Sequence, residues 1–135
     1  MAPHRILLID DDPHLPVIIR LLLAKTHSEV MLYTAREGQN GVAMAESVSP
    51  HLILLDCRMP GWDGFETLTQ LRANPHTAHI PIVTISGAIP TRGRCAEMIA
   101  RSEAYLSKPL DLSQLLAVIT QFINFIPDNY DGPAH

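Results

Sequence analysis

Five short apolar runs, each followed by a longer segment of helical period, constrain this chain more than any other feature of it. The runs are Arg5 to Ile9, Glu29 to Tyr33, Leu52 to Leu55, Pro81 to Ile85 and Ala104 to Ser107. Each reads as a strand. The first, third and fourth are nearly continuous in Ile, Leu and Val, the pattern of parallel strands buried on both faces. Helix candidates fill the gaps at Pro13 to Lys25, Gly38 to Val48, Gly64 to Asn74, Pro90 to Ala100 and Leu112 to Ile126. The last is the most regular, with Leu112, Leu115, Leu116, Ile119, Phe122, Ile123 and Ile126 on one face. Strand followed by helix, five times over, predicts an α/β fold: a parallel sheet covered on both faces, because each crossover is right-handed and its helix packs back onto the sheet. The expected strand order is 2-1-3-4-5, which opens a crevice where strands 1 and 3 diverge, outside their carboxyl ends.

A chain of 135 residues, 47% apolar, buries enough surface for one domain without disulfide or metal staples, and is too apolar to be disordered. The formal charge of -4 offers no basic face to a phosphate backbone, so no nucleic-acid partner is expected. Cys57 and Cys95 make no framework, and the seven histidines have no Cys-x-x-Cys partner, which points to a reducing, cytoplasmic compartment. Ile6 to Ile9 is too short for a signal-peptide core, and Val17 to Ala24 is broken by Arg20, so no membrane contact is expected.

Within that mild acidity the charges are uneven. Only two of the bases are lysines, Lys25 and Lys108, while three of the 14 acids stand together as Asp10-Asp11-Asp12. The strand ends are where these residues gather. Strand 1 ends in Asp10-Asp11-Asp12, strand 3 in Asp56, strand 4 in Ser86-Gly87 and strand 5 in Lys108-Pro109. Taken singly each has a bland explanation: acids close strands and cap helices, Ser-Gly is a common turn, and Lys-Pro is a common exit from a strand. Taken together they do not. Two carboxylates about 4 Å apart at an effective dielectric of about 20 repel by about 4 kcal/mol, a large share of the 5 to 15 kcal/mol (roughly) that stabilises a domain. Clustered acids of this kind need a counter-charge. Oxygen-only ligands suit a hard divalent cation, Mg2+ or Mn2+, and a lysine and a hydroxyl complete what phosphoryl transfer to an aspartate requires.

With these strings in view, the chain resembles a response-regulator receiver domain of two-component signalling over residues 4 to about 126. The resemblance rests on I-L-L-I-D-D-D-P, L-I-L-L-D-C-R-M-P-G-W-D-G-F-E, I-P-I-V-T-I-S-G and A-Y-L-S-K-P-L, in that order. It implies a flavodoxin-like (βα)5 sandwich. It implies Asp56 as phosphoacceptor, and Asp10, Asp11, Asp56 and the backbone carbonyl of Arg58 as the Mg2+ site. Ser86 and Lys108 match the hydroxyl and lysine that contact the phosphoryl oxygens, and Ser86 and Tyr105 match the switch residues. The implied partners are a histidine kinase or histidine phosphotransfer protein as donor and a downstream protein target. That target would bind the surface of the fourth helix, fifth strand and fifth helix, reshaped when the phosphoryl charge draws Ser86 inward and Tyr105 turns. A receiver of this kind is no enzyme beyond self-phosphorylation from small phosphodonors and self-dephosphorylation, and is expected as a monomer or weak homodimer.

Some positions depart from the family pattern. Pro16 would cost the first helix a hydrogen bond unless that helix begins late. Ala100 to Glu103 lacks the glycine that usually precedes the aromatic of strand 5. Arg58 and Ala88 hold the positions that tune hydrolysis, and Ala88 cannot orient a water, so a long-lived phosphoryl state is expected. His76 and His79 have no third ligand and read as loop residues. Arg92, Arg94 and Arg101 read as a solvated basic face, and Val118 and Phe125 as core rim or a dimer or target surface. Pro127 to His135 form a short tail after a receiver spanning residues 1 to 126, with no effector domain expected.

Two rival readings remain. Asp10-x-Asp12 after a strand fits the nucleophile pattern of a haloacid-dehalogenase-type phosphohydrolase, although the late acidic pair and cap insertion of that class are missing and Asp56 is left without a role. The same fold could also serve as a phosphorylation-independent interaction module.

Overall fold

All five apolar runs are strands in the computed structural model, which describes residues 4–87 and 92–124. They are β1 (Arg5–Ile9), β2 (Met31–Ala35), β3 (Leu52–Asp56), β4 (Ile82–Ser86) and β5 (Ala104–Ser107). One parallel sheet contains them in the order β2-β1-β3-β4-β5, the flavodoxin-like order expected from the pattern. β1, β3 and β4 run through its centre. Every residue of β3 and β4, and Ile6 to Ile9 of β1, is buried, which is why these runs lack polar alternation. β2 lies two residues later than expected. It is an edge strand in which Met31 is exposed and Leu32 to Thr34 are only half-buried, so its apolar signal is diluted.

Five helices return the chain across the sheet: α1 (Leu15–Thr26), α2 (Gly38–Val48), α3 (Gly64–Ala73), α4 (Arg94–Ala100) and α5 (Leu112–Asn124). Because side chains alternate along a strand, β1 feeds two cores. Ile6 and Leu8 pack with Leu15, Ile19 and Leu23 of α1 and Leu115, Ile119 and Ile123 of α5. Leu7 and Ile9 pack on the other face with Ala45 of α2, Leu68 and Leu71 of α3 and Met98 of α4. Each fully buried Leu or Ile contributes about 1.5–3 kcal/mol. None of the described helices is long and apolar enough to cross a membrane.

α1 does begin late. His14 is its N-cap and Pro16 falls in the first turn, where a missing N–H has no intrahelical partner to lose. The turn from α4 to β5 needs no glycine. Arg101 stays right-handed at φ -102°, and the Ser102 hydroxyl donates to the Ile99 carbonyl (2.8 Å) while accepting from Thr84 Oγ1 (3.0 Å). Leu112 departs from expectation: it opens α5 three residues before Leu115, the first position to reach the core, and is 46% exposed. Val118 and Phe122 pack against the α1/α5 core, while Phe125, Ile126 and the tail from Pro127 to His135 lie outside the described residues.

The cysteines require a larger correction. Read as two residues without a framework, they are brought together by the fold: Cys57, directly after β3, is joined to Cys95 in the first turn of α4, with Cα atoms 5.9 Å apart. The β3–α3 loop and α4 meet on the same face of the sheet, a proximity that a sequence separation of 38 residues conceals. A joined pair also removes cysteine usage from any inference about compartment.

At the amino-terminal ends of β1 and β3, the Arg5 N–H donates to His51 Nδ1 (2.9 Å), and the His51 ring meets His4 edge-on at 5.3 Å. Burial, reinforced by the charges of Arg5 and His4, pushes His51 down to about 4 from 6.5. Between those values the unfolded chain binds a proton that the folded chain refuses, so stability is full above 6.5 and falls as pH drops toward 4. The ring is only half-buried, which limits the loss to on the order of 1 kcal/mol. His51→Asn, which keeps an acceptor for the Arg5 N–H, is expected to flatten this part of the profile in urea unfolding; an unchanged slope would exclude His51 as its source.

Candidate functional site

Register decides what meets at the carboxyl ends of the strands. Ile9 pairs with both Ala35 and Leu55, Asp56 with Ile85, and Ser86 with Ser107. The residues that follow therefore leave the sheet at one level. Asp10 is held there by its N–H, which donates to the Ala35 carbonyl (3.0 Å), and its Oδ1 accepts from the Asp12 N–H (2.9 Å). Asp12 in turn accepts from the His14 N–H (2.8 Å), which shapes the approach to α1. The acid run thus divides: Asp12 builds the turn, and Asp10 and Asp11 face Asp56. Carboxylate oxygens of Asp10, Asp11 and Asp56 lie within 4.8 Å of one another, the sole such cluster of potential ligands among the described residues. His76 and His79 are exposed, and neither belongs to a cluster. Asp12, whose Oδ1 is engaged in the turn, is not among the three clustered carboxylates.

Lys108 supplies the counter-charge. Its N–H donates to the Ser86 carbonyl (2.7 Å), which ties the end of β5 to the end of β4. From there its Nζ reaches Asp10 Oδ2 at 3.0 Å and Asp56 Oδ1 at 3.5 Å. Asp10 and Asp56 are buried, Asp11 stands exposed at the mouth, and Ser86 is buried at the end of β4. Tyr105 is half-buried on β5 opposite Thr84. Arg58 is exposed, two residues past Asp56, and Ala88 lies outside the described residues.

Burial, then the charge of Asp10, pushes the Asp56 carboxyl up to about 6 against the pull of Lys108. Burial alone would lower Lys108, but the close carboxylate of Asp10, joined by that of Asp56, holds it above its ordinary value. One ammonium faces three carboxylates. Asp10 Oδ2, though close to Lys108, accepts no hydrogen bond of regular geometry, so that contact is one of charge and the buried oxygen has capacity left. Three converging carboxylates, a surplus of negative charge and an under-used buried oxygen fit a hard divalent cation with oxygen ligands.

The loop after Asp56 is fixed on both sides. The Cys57 N–H donates to the Ile85 carbonyl (2.9 Å), and the Gly64 N–H donates to the Cys57 carbonyl (2.9 Å). Asp63 caps α3 by accepting from the Glu66 N–H (2.8 Å). Its carboxylate also takes a two-pronged contact from Arg94 (2.7 and 3.0 Å), which holds it below the usual carboxylate range. Arg94 and Arg101 lie against the Phe65 ring at 4.7 and 5.1 Å. Arg94 and Arg101 are largely exposed, as a solvated basic face requires, and they also engage α3 through these contacts.

Comparison with known proteins came to the same region. A family model for the response regulator receiver domain matches residues 6–120. Response regulator PleD of Caulobacter vibrioides is 38% identical over 123 residues, covering 90% of this chain and 26% of PleD. Protein PilH of Pseudomonas aeruginosa is 31% identical over 115 residues, covering 85% of this chain and 93% of PilH. The chain therefore spans about a quarter of one relative and nearly all of the other. Among solved structures, the receiver domain of sensor histidine kinase PA1611 from Pseudomonas aeruginosa superimposes with a TM-score of 0.79 at 26% identity, covering 91% of this chain and 99% of that one. That receiver carries a magnesium ion coordinated in its active site cleft.

Proposed function

Since the chain belongs to the response-regulator receiver family, we propose that Asp56 is its phosphoacceptor, receiving a phosphoryl group from a histidine kinase or histidine phosphotransfer protein. Receivers of this family are signalling phosphoacceptors of two-component systems, not classical enzymes. The supporting observation is the convergence of Asp10, Asp11 and Asp56 with Lys108 at one edge of the sheet.

In this reading an Asp56 carboxylate oxygen attacks phosphorus in line with the donor imidazole. The P–O bond forms as the P–N bond breaks, and the imidazole nitrogen keeps the electron pair. Asp10, Asp11, Asp56 and the backbone carbonyl of Arg58 would hold Mg2+ or Mn2+. When bound, the cation neutralises charge on the phosphoryl oxygens. Lys108, poised between Asp10 and Asp56, moves its charge onto a phosphoryl oxygen, and the Ser86 hydroxyl donates to another. The added charge on Asp56 then draws Ser86 and its loop inward, which opens space for Tyr105 and alters the α4–β5–α5 surface offered to a downstream protein.

Incubation with a small phosphodonor and Mg2+ should add one hydroxylamine-labile phosphoryl group, read by intact mass. Asp56→Asn should abolish it, and Lys108→Ala should slow it by at least about tenfold, since a charge-assisted contact to a phosphoryl oxygen contributes on the order of 1.5–3 kcal/mol. Phosphorylation of Asp56→Asn at the unmodified rate would overturn the reading, and turnover of a phosphomonoester by that variant would favour a phosphohydrolase.

A further inference from the structure

Phosphoryl transfer makes no use of Cys57 and Cys95, yet they bridge the two parts that a receiver must couple. Cys57 is bonded to Asp56 through the chain, and both its backbone groups are engaged, by Ile85 and Gly64. Cys95 is the second residue of α4, and the two side chains are joined. Around them, α4 rests on the same loop and helix start. Met98 Sδ lies 2.7 Å from where a Cβ on Gly64 would stand, and Arg94 holds the Asp63 carboxylate. With the two sulfurs joined, the first turn of α4 is tethered covalently to the residue after the phosphoacceptor. With them separate, α4 is held there by non-covalent contacts: the Met98 packing, Arg94 and Arg101 against the Phe65 ring, and an ion pair at the surface, where such pairs hold weakly.

The core does not need this tether. Two buried apolar clusters cover both faces of the sheet, and a domain of this size folds without disulfide staples. The bridge is also reachable from one side: Cys57 is 3% exposed, whereas Cys95 is half-buried. We propose that Cys57 and Cys95 are a reversible oxidative modification site, a dithiol–disulfide couple that fixes α4 against the phosphoacceptor loop when oxidised and releases it when reduced. Its consequence for signalling rests on the receiver reading above, whereas the chemistry of the couple does not.

With a peroxide as oxidant, Cys95, the more accessible of the two, reacts first, its deprotonated sulfur attacking a peroxide oxygen. It takes one peroxide oxygen to become a sulfenic acid, and the other oxygen leaves as water. The Cys57 thiol then attacks the sulfenic sulfur, forming the S–S bond and expelling a second water. Two thiol hydrogens and two electrons have passed to the peroxide. Reduction by a dithiol runs through the same accessible sulfur. The reductant attacks Cys95 Sγ, Cys57 leaves, and the second reductant thiol displaces Cys95, so that the reductant ends as its own disulfide.

The test uses the full chain, treated with a slight excess of hydrogen peroxide or with dithiothreitol. Intact mass after maleimide blocking should count two free thiols in the reduced protein and none in the oxidised one, and dithiothreitol should restore both. Amide hydrogen exchange across Arg94 to Ala100 should be slower by about tenfold in the oxidised protein. The exchange change that phosphorylation causes in α4 should shrink with it. Cys95→Ser should abolish both contrasts, and since Cys95 is half-buried this variant spares the core if Cys57→Ser does not fold. Thiols still blockable after peroxide, or identical α4 exchange in the two states, would overturn the proposal. If no phosphoryl adduct forms in either state while thiol count and exchange still differ, the receiver reading fails and the redox couple stands.

Discussion

Asp56→Asn is expected to raise the stability of the metal-free protein at pH 7 by about 3 kcal/mol, although it removes the residue on which function depends. Burial and the neighbouring Asp10 push the Asp56 carboxyl up to about 6, against an ordinary value of 3.8. For an acid raised on folding, the favourable contribution is complete below the unfolded value and is lost as pH rises through the folded one. Above about pH 6 the folded chain therefore carries the full cost of an ionised Asp56, near 1.36 kcal/mol for each pH unit between the two values. Asn keeps the shape, removes the charge and leaves Lys108 its contact with Asp10 at 3.0 Å. Urea unfolding with a chelator present should show the gain at pH 7 and its disappearance near pH 4. Added Mg2+ should narrow the gap by stabilising the unmodified protein. A variant no more stable than the unmodified chain in chelator would contradict the electrostatic reading of the site.

Gly64→Ala should cost a similar amount in the opposite direction. Gly64 opens α3 at the point where that helix presses on the end of β3. A Cβ there would overlap the Asp56 carbonyl oxygen and stand 2.8 Å from Cys57 Cα and 2.7 Å from Met98 Sδ. Two of those three neighbours are backbone and cannot rotate away, which places the penalty near the upper end of the overpacking range, about 3 kcal/mol. The same shift would displace Asp56, so phosphorylation should slow as well. Gly87 provides the control: a Cβ there meets nothing within 4 Å, and Gly87→Ala should leave stability within about 1 kcal/mol of the native value. Equal urea midpoints for the two alanine variants would remove Gly64 from the list of residues that position the site.

How much of this was legible from the chain alone follows from where each signal is generated. β1, β3 and β4 could be placed because a strand buried on both faces must be apolar throughout. β2 was misplaced by two residues because an edge strand obeys a weaker rule. The late start of α1 was written in Pro16, whose chemistry permits only a first-turn position. Leu112 fits the apolar stripe of α5 by spacing yet precedes the part of the helix that reaches the sheet. At the site, Asp10, Asp11, Asp56 and Lys108 could be brought together because each ends or follows a strand, and in a parallel sheet those ends are neighbours. The Cys57–Cys95 bridge and the contacts of Arg94 with Asp63 and Phe65 were not visible. They depend on how α3 and α4 lie against each other, and that is set by packing between helices, such as Gly64 on Met98, which leaves no period in the sequence.

The most direct measurement is chemical localisation of the transferred group. After incubation with a phosphodonor and Mg2+, borohydride reduces an aspartyl phosphate to homoserine, and peptide fragmentation then reports which residue was modified. The expected result is homoserine at position 56 alone, absent when the divalent cation is chelated. Homoserine at position 10, 11 or 12 with Asp56 intact, or phosphorylation that leaves no homoserine at all, would contradict the assignment of Asp56 as phosphoacceptor.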